Sequence, residues 1–141
     1  MGTSMATTPG TDSHNGWPPA ALILQAARNL ADETGSSRIA LQFLSDYLDM
    51  LPARLQRILL GLQASDVETS MDAILSLKIA SAMAGAFDVE DCCHGIEALI
   101  RREQFPMARE NALALAINVL CLVNRTPALL AGAEDSLAPT S

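Results

Sequence analysis

Few side chains in this sequence could carry out chemistry, and the first candidates are its histidines and cysteines. His14 lies in a Thr-, Ser- and Gly-rich stretch where no neighbouring element would orient it, whereas His94 lies within a periodic apolar segment. Cys92 and Cys93 are adjacent, and adjacent residues of a helix point about 100° apart, so they cannot easily chelate one tetrahedral ion. We therefore predict that this cysteine pair packs in a core and that His94 is a partly exposed helical residue.

The acidic residues and short motifs of the chain give no sign of an active site either. Asp88, Glu90 and Asp91 cluster where a helix is expected to start, and the helix dipole explains acidic residues there without catalysis. The sequence has no G-x-x-x-x-G-K phosphate loop, no G-x-S-x-G nucleophile turn and no H-E-x-x-H zinc pair. We predict that the protein is not an enzyme and that it has no catalytic residue, cofactor or metal.

Composition restricts the class of protein. The 141 residues are enough for one domain, and half of them are hydrophobic while only 4% are aromatic, which favours helices over strands. The formal net charge is -7, and the only adjacent basic pair is Arg101 and Arg102, so nucleic acid is not expected as a partner. The odd number of cysteines fits a reducing, cytoplasmic compartment.

Neither a leader nor a membrane span is expected. Residues 1–17 have no basic region followed by an apolar one, and they lack a periodic apolar pattern, so we predict a disordered N-terminal tail there. The longest apolar run, residues 112–123, is interrupted by Asn118 and is shorter than the roughly 20 residues that cross a bilayer.

Apolar residues at steps of three and four predict five helices over residues 18–126. Their short connections imply antiparallel neighbours. The fold class predicted is therefore all-α, an antiparallel up-down four-helix bundle with an additional short N-terminal helix. Residues 127–141 follow this bundle, begin with a proline, and are predicted to form a flexible C-terminal tail.

Several residues are expected to set the ends and the course of these helices. Pro52 falls inside the second helix, where the apolar phase continues past it, so we expect a kink rather than an end. Ser65 and Glu68 match a capping box at the start of the third helix. Gly85 is placed to end that helix in a left-handed conformation.

The third helix and the turn that follows it carry a recognisable pattern. Leu77, Lys78 and Ser81 are followed, after three residues, by Gly85 and Ala86. These positions match the motif H-x-L-K-G-x-S, then three residues, then G-A, and on this pattern the chain resembles the histidine-phosphotransfer (Hpt) family. The resemblance implies a four-helix bundle and a function in phosphorelay signalling, the transfer of phosphoryl groups between response-regulator receiver domains.

The resemblance extends over roughly residues 20–123, and two departures from it change the expected function. Leu75 stands at the position of the family's phosphorylated histidine, and an isobutyl group has no lone pair with which to attack an acyl phosphate. Ile79 stands where the family has a glycine that lets the receiver domain approach, and its branched side chain would fill that space. The two losses together predict a degenerate member that no longer transfers phosphate.

A line of apolar residues replaces the lost site. Leu75, Ile79 and Met83 step by four along a face that is polar and solvent-facing in an active family member. Three apolar residues in line form a patch of the kind that marks a partner surface. Lys78 matches a family lysine that attracts the phosphoryl charge, although a solvated cation explains it equally well. We predict a partner-binding site of Leu75, Lys78, Ile79, Ala82 and Met83 for a receiver domain or a histidine kinase.

Two alternative functions stay open at this point. The fold could serve only as a structural dimerisation module, because the fifth helix is apolar around almost its full circumference. Cover by the N-terminal helix or the C-terminal tail would also explain that composition. The other alternative is a phosphotransfer protein that uses His94 as its acceptor.

Overall fold

The computed structural model describes residues 19–138, and within that range every regular element is an α-helix. The all-α prediction is therefore confirmed for the described part of the chain. The tail expected over residues 1–17 lies outside the described residues. The helices are α1 (Pro19–Thr34), α2 (Ser37–Gln63), α3 (Val67–Ala84), α4 (Phe87–Arg101), α5 (Phe105–Asn124) and α6 (Thr126–Leu137).

Helices α2 to α5 enclose the main core of the bundle. Helix α3 packs between α2 and α4, and α5 packs against both α4 and α2, so these helices close a ring. Burial of their apolar faces is the dominant favourable term in the fold. The largest fully buried side chains of this ring are Leu51, Ile58, Leu62, Ile74, Leu77, Val89, Cys93, Ile96, Ile100, Leu115 and Val119.

Helix α2 is continuous through its internal proline. It starts at the N-cap Ser36, whose hydroxyl accepts a hydrogen bond from the Ile39 amide. Pro52 lies on the exposed side of the helix, between the buried Leu51 and Leu55. The prediction that Pro52 does not end the helix is confirmed.

The start of α3 differs from the expected capping box by one residue. Asp66, rather than Ser65, is the N-cap, and its carboxylate accepts a hydrogen bond of 3.1 Å from the Thr69 amide. Ser65 instead takes a positive φ of 53° in the turn, a conformation from which it does not cap the helix. The prediction of a Ser65–Glu68 capping box is therefore wrong.

The end of α3 is as predicted, and Gly85 is required there for two reasons. Its φ of 78° lies in the left-handed region, which residues other than glycine rarely adopt. A Cβ at this position would also lie 2.7 Å from both the Ala26 Cβ and the Leu22 carbonyl oxygen of α1. The turn after α3 is thus one place where α1 approaches the bundle closely.

The C-terminal segment is a helix over most of the range in which the sequence predicts a flexible tail. Residues 126–137 form α6, which packs against α1 and α2 and buries Leu129 and Ala133. Pro127 lies in the first turn of this helix, where its missing N–H costs nothing, so it starts a helix instead of only ending one. The bundle therefore extends beyond residue 126.

Helix α5 keeps an apolar outer face. Leu115 and Val119 are buried in the core, whereas Leu113, Ile117 and Leu120 remain exposed. Because α6 packs mainly against α1 and α2, the C-terminal segment does not cover this face. By length and composition alone α5 is also apolar enough to cross a membrane, a test that the core helices of many proteins pass.

Candidate partner-binding site

The predicted partner-binding residues lie along the outer side of α3. Ile79 and Met83 are 61% and 52% exposed. Leu75 and Ala82 are half-buried, and Leu75 packs partly against the core. The opposite side of α3 buries Leu77 between α2 and α4. The outer face of α3 therefore has its most exposed apolar side chain one turn beyond Leu75.

Lys78 is held on the α4 side of this face by an ion pair. Its Nζ lies 2.7 Å from Oε1 of Glu97, and the other carboxylate oxygen of Glu97 accepts a hydrogen bond of 2.6 Å from Arg101. The side chain of Glu97 is only 10% exposed. The hydrogen bonds from Lys78 and then Arg101 hold the pKa of the Glu97 carboxyl below its usual range. Lys78 is thus neither a freely solvated cation nor an unpaired one.

Arg54 lies on the other side of the same face, between α2 and α3. Its guanidinium donates hydrogen bonds of 2.9 Å to the Ser76 hydroxyl and 3.2 Å to the Ser76 carbonyl oxygen. It also contacts the sulfur of Met50, an exposed apolar residue of α2. Arg57 pairs with Asp72 one turn further along. The apolar side chains of α3 are therefore flanked by polar contacts on both sides.

An apolar groove continues the face towards α1. Met83 lines it together with Phe43 of α2 and Leu30 of α1. The sequence predicts that Met83 lies in line with Leu75 and Ile79 on the outer face of α3. In the structure the Met83 side chain also borders the contact between α1 and α2. Phe43, Met50 and Arg54 were not predicted as site residues, because their neighbours lie on another helix.

The family model described as the Hpt domain matches residues 42–132 of this chain. The match covers more than half of the sequence. The chain belongs to the Hpt domain family. No curated protein and no solved structure matches it. Hpt domains are phosphotransfer carriers of phosphorelay signalling, and they interact with receiver domains and histidine kinases.

The Hpt motif residues of α3 take two kinds of position. Leu77 and Ser81 are fully buried, and Ser81 shares a hydrogen bond of 2.7 Å with the hydroxyl of Tyr47. Burial raises the pKa of Tyr47 to about 12. Lys78 lies at the surface in its pair with Glu97. Most of the Hpt motif in this chain therefore serves packing, and only its outward residues are available to a partner.

The remaining candidate residues lie on α4 and α5. His94 is exposed on α4, next to the buried Cys93, so the predicted helical and exposed position is confirmed. Burial raises the pKa of the Cys93 thiol to about 12, and Cys92 accepts a hydrogen bond from Asn118. Cys121 is exposed. Within residues 19–138 no group of three His, Cys, Asp or Glu side chains is arranged to hold a metal ion.

Proposed function

We propose that this Hpt protein acts as a pseudo-phosphotransfer module that binds a receiver domain or a histidine kinase without carrying phosphate. The binding face consists of Leu75, Lys78, Ile79, Ala82 and Met83. The observation that carries the proposal is the exposure of Ile79, one helical turn from Leu75. An apolar side chain covers the surface next to the family's phosphorylation position, where Leu75 itself has no nucleophilic atom.

Energetics supports binding through this face. Burial of the still exposed parts of Ile79 and Met83 would contribute about 1 to 2 kcal/mol each before the costs of association are subtracted. The pairs that flank the face would form a polar rim around it. A partner engaged there would be withheld from an active Hpt carrier, so the module would act by competition in a cytoplasmic relay.

The experiment is a calorimetric binding assay of the full chain against receiver domains and kinases from the same organism. Ile79→Glu is expected to weaken binding by about tenfold or more, because it places a charge in an apolar contact. Ile117→Glu is the matched control, since Ile117 is equally exposed, at 64%, but lies on α5. The proposal fails if no partner binds, or if both variants weaken binding equally.

A structural dimerisation module is the second candidate function. It is favoured by Leu113, Ile117 and Leu120, which are all exposed on α5. Light scattering over a wide concentration range separates the two functions. A concentration-dependent dimer that Ile117→Glu abolishes, together with no binding of any receiver or kinase, would establish this second function instead.

A further inference from the structure

We propose that Glu97 is a specificity-determining residue of the binding face. Its carboxylate acts as an internal anion for the Lys78 ammonium, so the face binds its receiver partner by apolar contact and without preference for the phosphorylated form. This inference rests on the proposed function and names the state of the partner that the face recognises.

The geometry leaves Lys78 little capacity for an outside anion. The distance of 2.7 Å between Lys78 Nζ and Glu97 Oε1 is that of a charge-assisted hydrogen bond. The Lys78 side chain is 26% exposed, so much of its length is already enclosed. Arg101 holds the second carboxylate oxygen from the next turn of α4, which fixes the orientation of Glu97.

An incoming phosphoryl group would meet an unfavourable exchange. If it displaced Glu97 from the Lys78 ammonium, it would leave a nearly buried carboxylate with Arg101 as its remaining cation. If it used the other N–H donors of the ammonium, it would share a charge that Glu97 already compensates. The phosphoryl charge would also approach a carboxylate of the same sign. The partner's phosphate therefore gains little from Lys78 as long as Glu97 is ionised.

The other cations around the face do not compensate for this. Arg57 is paired with Asp72. Arg54 is directed to the hydroxyl and the backbone carbonyl of Ser76, on the α2 side of α3, whereas Lys78 lies on the α4 side. Between them the most exposed apolar side chain is that of Ile79, which offers apolar surface and no charge.

The test compares one receiver domain in two states, free and treated with beryllofluoride and Mg²⁺, which mimics the aspartyl phosphate. We expect the wild-type protein to bind both states with dissociation constants within about twofold of each other, a free-energy difference below the size of a typical charge pair. The Glu97→Gln variant should bind the beryllofluoride form at least about fivefold more tightly than the free form, because the substitution leaves the Lys78 charge uncompensated. Glu110→Gln, which removes an exposed carboxylate of α5, should behave as the wild type.

A second measurement does not depend on any receiver. Inorganic phosphate is titrated into the full chain while the Lys78 side-chain resonance is followed by NMR, and the resonance should shift in Glu97→Gln but stay constant in the wild type. A wild-type protein that prefers the beryllofluoride form by about fivefold, or whose Lys78 resonance responds to phosphate, overturns the inference. The wild-type arms need no variant, so they decide even if Glu97→Gln does not fold. Failure of the wild type to bind any receiver, free or treated, would instead remove the proposed function.

Discussion

The hydroxyl of Tyr47 lies 2.7 Å from the hydroxyl of Ser81, and both residues are buried between α2 and α3. Each hydroxyl satisfies the other in a place that water does not reach. Ser81 is a residue of the Hpt motif, yet in this chain its contact is internal. Its presence is therefore explained by the fold, independently of phosphotransfer.

This pair predicts a non-additive effect on stability. Tyr47→Phe and Ser81→Ala should each lower the free energy of unfolding by about 1 to 3 kcal/mol, because each leaves one buried hydroxyl without a partner. The double variant should lose less than the sum of the two, since it removes both hydroxyls together. Urea denaturation of the wild type and the three variants measures the cycle. Strict additivity would show that the two hydroxyls do not depend on each other.

Alkaline pH should destabilise the protein through the same region. Burial raises the pKa of Tyr47 from 10.0 to about 12, so the folded state resists losing this proton while the unfolded state does not. The contribution of the protonated Tyr47 phenol to the free energy of unfolding is fully present below pH 10 and is lost as the pH rises towards 12. The Cys93 thiol, with its pKa raised to about 12, acts in the same direction.

Tyr47→Phe isolates the part of the alkaline loss that belongs to the phenol. Between pH 8 and pH 11 the variant should lose about 1 kcal/mol less than the wild type, while the Cys93 contribution remains in both. Urea midpoints at the two pH values test this. Identical losses in the two proteins would show that Tyr47 does not titrate with the unfolding transition.

A close approach of α2 and α3 predicts the effect of a single methyl group. A Cβ at Gly61 would lie 2.8 Å from the Ser70 hydroxyl oxygen and 3.2 Å from the Ser70 backbone. Gly61→Ala should therefore destabilise the protein by about 1 to 3 kcal/mol, despite the higher helix propensity of alanine. The Ser70 hydroxyl is buried without a hydrogen-bond partner among the described residues.

Ser70→Ala supplies the control for that clash. By itself it should be neutral or slightly stabilising, since it removes an unpaired buried hydroxyl. In the Gly61→Ala background it should recover part of the loss, because the nearest clashing atom is gone. Thermal denaturation of the four proteins tests both steps, and no recovery would place the whole clash on the backbone of Ser70.

How far the sequence predicts this molecule depends on whether a residue's neighbours are local. The helices from α1 to α5 follow from apolar spacing, and Gly85 follows from its position after that spacing ends. Helix α6 was missed because Pro127 is compatible both with the end of one helix and with the first turn of another. The N-cap shifted from Ser65 to Asp66 because both residue types cap helices, and the positive φ of Ser65 is set by the turn.

Contacts between helices could not be predicted from the pattern alone. Lys78 and Glu97 are 19 residues apart, and their pairing depends on the register in which α3 packs against α4. The same is true of Arg54 and Ser76, which are 22 residues apart on α2 and α3. The exposure of Ile79 follows from its place opposite the buried Leu77 side of the helix.

His94 provides a direct test of whether phosphate is carried at all. The proposed function predicts no acid-labile phosphate on the wild-type protein after incubation with phosphorylated receiver domains, measured by mass spectrometry. A labile phosphate that His94→Gln removes would show instead that α4 carries the acceptor. A label that persists in His94→Gln would place the phosphate elsewhere in the chain.

Restoring the histidine of the Hpt motif should not by itself restore transfer. In Leu75→His the new imidazole would lie one turn from Ile79, whose exposed side chain is expected to obstruct an approaching receiver domain. Transfer needs the reacting atoms within about 3 to 3.5 Å of each other, a distance that a side chain in the way prevents. Leu75→His with Ile79→Gly should accept phosphate, and both variants are made in the His94→Gln background so that the label reports residue 75. Equal labelling of the single and double variants would show that Ile79 does not block access, and the binding face would then have to be explained without a steric role for it.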